Sequence, residues 1–204
     1  KLERRVRGIN ERLERVRKRR TFQRDRRQKA GFPTVALAGY TNSGKSTLLR
    51  QLSSSRDLFV ADQLFSTLDT YVRKVWLPQG HQILFSDTVG FIRELPPDLV
   101  AAFRTTLEEI SASALILLVL DGSAPDIMET LDVVEATLAE IQSGDIPRLI
   151  VLNKVDKMDT DIIPYLLAQI QARSSTPVVP ISALKGEGLP LLLEEVERLL
   201  FDTN

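Results

Sequence analysis

Eight consecutive residues carry the strongest chemical signal in this chain of 204 residues. They fit the pattern GxxxxGKS/T and read Gly39-Tyr40-Thr41-Asn42-Ser43-Gly44-Lys45-Ser46. Glycines let the backbone curl so that successive N–H groups point at phosphate oxygens, and the helix that follows adds its positive N-terminal end. We expect Lys45 to reach the β- and γ-phosphates and the Ser46 hydroxyl to ligate magnesium. The alternative is a glycine-rich turn with a surface lysine, but an apolar run before the motif and a helical pattern after it favour the phosphate loop.

Two further motifs could recognise a purine base. Each follows a short apolar run, and they read Asn153-Lys154-Val155-Asp156 and Ser182-Ala183-Leu184-Lys185. The Asp156 carboxylate can accept two N–H bonds from the guanine edge, which adenine does not offer in that geometry. Asn153 could bind the base edge and brace the loop, the stem of Lys154 could cover the ring, and a backbone N–H of the second motif could bond the guanine carbonyl oxygen. Either motif alone would be compatible with a solvated turn, whereas three loops in this order predict a guanine-nucleotide site.

A fourth motif, Asp87-Thr88-Val89-Gly90, follows the apolar run Ile83–Phe85. Asp87 can hold magnesium through water, and the Gly90 N–H can meet the γ-phosphate. Thr67, in the polar stretch 61–70, is the candidate second hydroxyl on magnesium, although its spacing also fits an ordinary loop threonine. Both loops would be ordered by the γ-phosphate and released after its loss.

Short apolar runs alternate with helical patterns from residue 34 onward. The predicted buried strands are Thr34–Ala38, Ile83–Phe85, Leu115–Leu120, Leu149–Leu152 and Val178–Ile181, with an additional hairpin strand at Tyr71–Leu77. Helical stripes recur at Val100, Phe103, Leu107 and Ile110, at Ile127, Leu131, Val134, Leu138 and Ile141, and at Leu189, Leu192, Val196 and Leu199. This alternation predicts an α/β fold with a mostly parallel six-stranded sheet and helices on both faces. Ligands of such sheets bind at the carboxyl ends of the strands.

A basic arm precedes this region. Residues 1–29 hold 14 Lys or Arg against 4 Asp or Glu, so a formal net charge of zero conceals a balance of +10 on the arm and −10 on the remainder. Leu2, Val6, Ile9, Leu13 and Val16 form one helical stripe. We predict a basic helix with linker at 1–30 and a nucleotide-binding domain at 31–204. The arginines could contact RNA or simply form a solvated face.

The composition bears on the cellular compartment of the protein and on the side-chain chemistry open to it. There is no cysteine, which removes disulfides and thiolate chemistry and fits a reducing compartment. There is no secretory signal peptide and no apolar run of about 18 residues, so we expect a cytoplasmic protein without a membrane span. We also expect a monomer. The sequence begins at Lys1, and we interpret it as a fragment or processed form. We expect His81 to be a solvated turn residue, and Trp76 and Phe85 to pack the sheet.

The sequence resembles the HflX family of ribosome-associated GTPases over about residues 34–200. The basic helix at 1–30 also resembles the end of the helical domain that precedes the GTPase domain in this family, and the resemblance implies that this N-terminal domain is truncated here. The resemblance is carried by the phosphate loop extended through Thr47-Leu48, by Ala61-Asp62-Gln63-Leu64-Phe65-Ser66-Thr67-Leu68-Asp69, by Asp87-Thr88-Val89-Gly90-Phe91-Ile92 followed by Leu95-Pro96, and by Ala102-Phe103 and Thr106-Leu107-Glu108-Glu109. Ser43 stands where alanine is common in the family, and Thr70 follows Asp69 where proline is frequent.

This resemblance implies a Ras-like P-loop GTPase domain that uses GTP with magnesium and binds the large ribosomal subunit and its RNA, in dissociation or rescue of ribosomes. The implied catalytic residues are Lys45, Thr67, Gly90 and Asn42, and the implied metal ligands are Ser46, Thr67 and Asp87. The implied nucleotide contacts are Gly39 to Thr47, Phe65, Ser66, Thr67, Leu68, Asp69, Asp87, Thr88, Val89, Gly90, Asn153, Lys154, Val155, Asp156, Ser182, Ala183 and Leu184.

Phe91 occupies the position just after DxxG where Ras-like enzymes use a glutamine to orient the attacking water, and a phenyl ring cannot hydrogen-bond that water. Asn42 stands where some related GTPases hold a potassium ion, which would neutralise developing charge. The alternative is that Asn42 merely tolerates a tight loop geometry. Two functions therefore stay open: a slow GTPase acting on ribosomes, and a nucleotide-gated binding module with negligible hydrolysis that recruits a protein or RNA.

Overall fold

Six short runs rich in Leu, Ile and Val form one sheet in the computed structural model, which describes residues 31–53, 72–87, 110–140 and 146–202. The strands are β1 (Thr34–Ala38), β2 (Val72–Trp76), β3 (Gln82–Asp87), β4 (Leu115–Asp121), β5 (Arg148–Asn153) and β6 (Val178–Pro180). The helices are α1 (Lys45–Leu52), α2 (Ile127–Glu140), α3 (Ile162–Arg173) and α4 (Leu189–Phe201), and a 3-10 turn spans Val155–Lys157.

The strand order is β2-β3-β1-β4-β5-β6, and only the edge strand β2 runs antiparallel to its neighbour. The pairs β1–β3, β1–β4, β4–β5 and β5–β6 are all parallel. The predicted α/β fold and mostly parallel six-stranded sheet are thus confirmed. Since parallel neighbours end at the same edge, the carboxyl ends of β1, β3, β4, β5 and β6 are brought together there.

The core lies on both faces of the sheet, because alternate strand residues point to opposite sides. On one face, Leu48 of α1 and Leu192 and Val196 of α4 pack against the sheet. On the other, Leu131 of α2 and Ile170 of α3 pack with their neighbours. All of Leu115–Leu120 in β4 are fully buried, as a central strand covered on both sides requires. Each such side chain contributes roughly 1.5–3 kcal/mol of burial free energy.

Several predicted bounds shift by one or two residues. The strand predicted at Ile83–Phe85 extends over Gln82–Asp87, and the one predicted to end at Ile181 ends at Pro180. The hairpin strand is confirmed as β2. Of the stripe predicted at Val100–Ile110, only Ile110 falls in the described residues, where it is buried. Ile141 and the basic arm at 1–30 lie outside them.

Of the two aromatic side chains expected to pack the sheet, one is buried and the other is exposed. Phe85 is fully buried in the core, as predicted. The expectation for Trp76 was wrong, since 62% of its surface is exposed. The physical reason is that β2 is an edge strand: its buried residue is Val75, and the next residue points to the opposite face.

The expectation for His81 was correct in part: its side chain is 43% exposed beside the turn, but it also makes specific contacts with α4. Its Nδ1 lies 2.7 Å from Oε1 of the buried Glu197, and its ring stacks on Phe201 with centroids 4.1 Å apart. The Gln79 N–H donates to the same carboxylate, 3.0 Å from Oε2. The turn between β2 and β3 is therefore attached to α4 by polar and aromatic contacts.

Candidate nucleotide site

The loop after β1 is held in a tight curl that only glycine permits at two positions. Gly39 has φ 147°, and a Cβ there would lie 2.3 Å from the carbonyl oxygen of Val119 in β4. Gly44 has φ 98°, and a Cβ there would lie 2.1 Å from Nδ2 of Asn153. Asn42 also has a left-handed backbone, with φ 63°. This backbone conformation supports the interpretation that Asn42 tolerates a tight loop geometry, and it is also compatible with a role for its side chain as an ion ligand.

Lys45 begins α1 and turns its ammonium back across the loop. Its Nζ donates to the carbonyl oxygens of Gly39, at 2.9 Å, and Tyr40, at 2.7 Å. Burial lowers the pKa of Lys45 to about 8, although the nearby charge of Asp87 opposes the shift. A buried ammonium held by two neutral carbonyls would gain strongly from an anionic partner, as a phosphate group would supply.

Ser46 and Asp87 meet at the ends of α1 and β3. The Ser46 hydroxyl donates to Oδ2 of Asp87 at 2.8 Å. Burial raises the pKa of Asp87, while the Ser46 hydrogen bond and the charge of Lys45 oppose that rise. Oδ1 of Asp87 is buried, and none of the described residues donates a hydrogen bond to it. Hydroxyl and carboxylate oxygens are hard ligands of the kind magnesium takes, so these residues fit such an ion.

Other predicted residues around the γ-phosphate fall outside the described ranges. They are Phe65, Ser66, Thr67, Leu68, Asp69, Thr88, Val89 and Gly90. Within those ranges, no group of three or more His, Asp or Glu side chains could hold a metal ion. A magnesium ion at Ser46 and Asp87 would therefore take further ligands from phosphate oxygens and water, which is the usual arrangement for this ion.

Asn153 connects the phosphate loop to the loop after β6. Its Nδ2 donates to the carbonyl oxygen of Ser43 at 2.8 Å, and its Oδ1 accepts from the Ala183 N–H at 2.9 Å. The residue is buried at the end of β5. Of the two roles considered for Asn153, bracing is the one that these contacts perform. The Ala183 N–H, a candidate partner for a guanine carbonyl, is the group that Asn153 binds.

Asp156 lies beside the loop after β6. Its Oδ1 accepts from the Ser182 hydroxyl at 2.6 Å, and the Ser182 Oγ accepts from the Lys185 N–H at 3.1 Å. A carboxylate offers two oxygens with several lone pairs, so one such bond uses only part of its acceptor capacity. Leu184 is 70% exposed at the tip of the loop. The residues predicted to read the base thus lie in adjoining loops at one edge of the sheet.

Asp121, at the end of β4, is a site residue that was not predicted from the sequence. Its Oδ2 accepts from Nζ of Lys154 at 2.6 Å, and its Oδ1 accepts from the backbone N–H and hydroxyl of Ser123. Burial alone would raise the pKa of Asp121, but these hydrogen bonds and the lysine charge bring it below its ordinary value. An aspartate at the end of a buried strand next to β5 was a usable signal, because parallel strands end at one edge.

The chain is similar to known GTPases. A family model described as "50S ribosome-binding GTPase" matches residues 34–154. Proteins named GTPase HflX are similar over most of the chain: the one from Caldanaerobacter subterraneus is 45% identical over 97% of this chain and 44% of its own length, and the one from Escherichia coli is 42% identical over 97% and 46%. The chain spans about half the length of the curated relatives it matches. The resemblance to the HflX family is confirmed.

A solved structure supports the same fold. The GTP-binding protein from Sulfolobus solfataricus in complex with GDP has a TM-score of 0.70 and 31% identity, covering 92% of this chain and 59% of that chain. No helix within the described ranges is long and apolar enough to cross a membrane.

Proposed function

We propose that this chain, which belongs to the family of 50S ribosome-binding GTPases, binds guanine nucleotide with magnesium at the carboxyl edge of the sheet and hydrolyses GTP slowly. The observation that carries the proposal is the position of Asn153, whose side chain bonds both the phosphate loop and the loop beside Asp156. A base and a phosphate group bound at these loops would be held by one connected hydrogen-bond network. The domain division at residues 30 and 31 is part of the same proposal.

The phosphate groups are assigned to the loop Gly39–Thr47. The Lys45 ammonium exchanges its two carbonyl partners for contact with the β- and γ-phosphates, and the buried setting strengthens that attraction. Ser46, Asp87 and Thr67 would hold magnesium, and that ion would neutralise charge on the phosphate oxygens. Gly90 donates its N–H to the γ-phosphate. The base contacts are Asp156, Lys154 and the loop Ser182–Leu184, with Val155 beside them.

Hydrolysis is expected to be slow because Phe91 cannot orient the attacking water. Asn42 could hold a potassium ion, which would supply the charge that an arginine finger supplies elsewhere. Exchanging sodium for potassium should then accelerate phosphate release, and Asn42→Ala should remove the difference. Equal rates in the two salts would refute the potassium role and leave the GTPase proposal intact.

The partner in this proposal is the large ribosomal subunit in the cytoplasm, with the basic helix at 1–30 contacting ribosomal RNA and the nucleotide state setting affinity in ribosome dissociation or rescue. Multiple-turnover phosphate release, with and without ribosomes, separates this GTPase from a nucleotide-gated binding module. Phosphate release that stays negligible in both conditions would favour the binding module.

Deletion of residues 1–20 tests the RNA contact of the basic helix. The deletion should lower ribosome affinity and make that affinity less dependent on salt, since each phosphate contact releases counterions.

Substitution of Asp156 tests the base assignment. Asp156→Asn should weaken GTP binding and shift preference toward xanthosine triphosphate, because the exocyclic oxygen of xanthine suits an amide donor. The expected loss of GTP affinity is on the order of 10- to 100-fold, the value of a hydrogen bond to a charged group. Asp161→Asn is the matched control, since that exposed aspartate makes no cap hydrogen bond at the start of α3. Full GTP affinity in Asp156→Asn would refute the assignment.

A further inference from the structure

The ion pair between Lys154 and Asp121 joins the loop after β5 to the end of β4. Its N–O distance is 2.6 Å, and the two side chains are only 17% and 23% exposed. The pair between Arg173 and Asp132 has the same length, but its side chains are 51% and 57% exposed. Partial burial reduces solvent screening, so the Lys154 pair is the more strongly held of the two.

The surrounding backbone fixes the carboxylate in place. Asp121 is the register partner of Asn153 in the parallel pair β4–β5. The Gly122 N–H donates to the carbonyl oxygen of Asn153 at 2.8 Å. Ser123 donates twice to Oδ1, at 3.0 Å from its N–H and 2.6 Å from its hydroxyl. Oδ1 of Asp121 therefore accepts the hydrogen bonds of the turn, and Oδ2 accepts the hydrogen bond of Lys154.

Lys154 is held at both ends. Its backbone is left-handed, with φ 66°, a conformation unusual for a residue other than glycine. Its ammonium is bound to Asp121, so both ends of the four-carbon stem have fixed positions. A free lysine side chain loses considerable rotamer freedom when a ligand orders it, and a lysine that is already fixed does not.

We propose that Asp121 is a positioning residue of the guanine site: it holds Lys154, and through it the loop Asn153–Asp156, ready for the base before nucleotide binds. This inference rests on the proposed function. Asp121 does not touch the nucleotide; it acts by preorganising a residue that does. Base-dependent affinity depends on it, and affinity for the phosphate groups alone does not.

Asp121→Asn isolates the contact to the lysine. The asparagine Oδ1 still accepts the two Ser123 bonds, while its amide nitrogen, a donor, faces the Lys154 ammonium. GDP affinity should fall on the order of tenfold, as expected for freeing one long side chain. The affinity for inorganic triphosphate with magnesium, measured by competition, should not change. Asp132→Asn, which removes the exposed ion pair of equal length, should leave both affinities unchanged.

A double-mutant cycle distinguishes positioning from general support of the loop. Lys154→Met keeps an unbranched stem and removes the ammonium. If Asp121 acts through Lys154, Asp121→Asn should weaken GDP binding no further in the Lys154→Met background. Wild-type GDP affinity in Asp121→Asn, equal losses for GDP and inorganic triphosphate, or additive losses in the cycle would each overturn the inference. A wild-type protein that does not prefer GDP over ADP would overturn the proposed function as well.

Discussion

Asp87 and Glu197 are both buried carboxylates, but they lie at opposite ends of β3 and have very different surroundings. Asp87 ends the strand and receives one hydrogen bond from Ser46, while its Oδ1 has no donor among the described residues. Glu197, on α4, contacts the turn before the strand and receives the Gln79 N–H and the His81 Nδ1. Only 6% of Asp87 and 1% of Glu197 are exposed.

The difference separates a polar group that stabilises the fold from one reserved for a ligand. A buried carboxylate whose donors come from the protein contributes to stability, because removing it leaves those donors unpaired. A buried carboxylate with unused acceptor capacity costs stability until a ligand satisfies it. The fold thus buries an incompletely hydrogen-bonded carboxylate at the nucleotide edge of the sheet but not at the opposite edge. Substitutions that remove each charge can test this difference.

The largest expected effect is on ligand binding, at Asp87. Asp87→Asn should lower magnesium-dependent GTP affinity on the order of 100-fold, the upper range for loss of a charged contact. The stability of the nucleotide-free protein should not fall, because a neutral amide is less costly to bury than a carboxylate. Calorimetric titration with magnesium and with a chelator, together with chemical unfolding, measures both. A large loss of nucleotide-free stability would contradict the comparison.

The next effect is on stability, at Glu197. Glu197→Gln should reduce the free energy of unfolding by about 1–2 kcal/mol, because one amide oxygen cannot replace two carboxylate oxygens for the donors of the turn. GTP affinity should stay within twofold of wild type, since the contacts of Glu197 with Gln79 and His81 lie at the end of β3 away from the phosphate loop. Glu194→Gln, at an exposed position on the same helix, is the control for charge alone. An unchanged free energy of unfolding in Glu197→Gln would show that these contacts of Glu197 do not stabilise the fold.

The smallest effect is expected from the aromatic stack. Phe201→Ala should cost about 1 kcal/mol of stability, in the range of an aromatic pair on a partly exposed surface. The Phe201 and His81 rings are nearly parallel, with 12° between their planes, and Phe201 is 39% exposed. Leu191→Ala, at a more exposed position on the same helix, should cost less. Equal losses in the two variants, measured by denaturant unfolding, would show that the stack adds nothing to burial.

Contacts within short sequence segments were predictable, and so was the meeting of Ser46 with Asp87, because both belong to motifs of one nucleotide site. Contacts between distant segments that carry no such motif were not predictable. The phosphate loop is contiguous, so its residue types reveal its curl and the placement of Lys45. By contrast, His81 and Glu197 are 116 residues apart, and Asp121 and Lys154 are 33 apart. Their pairing depends on how α4 and β4 lie against their neighbours, which local periodicity does not encode.

The strands and helices show the same limit. The continuous apolar run of β4 predicted a buried strand correctly, because burial on both faces leaves no polar position. α3 was not predicted, since its exposed face carries Ile162 and Tyr165 and weakens the contrast with the buried Leu166 and Ile170. The expectation that Trp76 packs the sheet fails because the edge position of β2 decides its exposure.

The most direct test of the central claim is the thermal unfolding midpoint measured with magnesium and GTP, ATP or no nucleotide. A ligand at about 100 times its Kd stabilises the folded state by roughly 2.7 kcal/mol, and for a chain of this size that raises the midpoint by about 5–10 °C. If the carboxyl edge is a guanine-nucleotide site, GTP should produce this shift and ATP at the same concentration should not. Equal shifts with both nucleotides, or no shift with either, would contradict the claim.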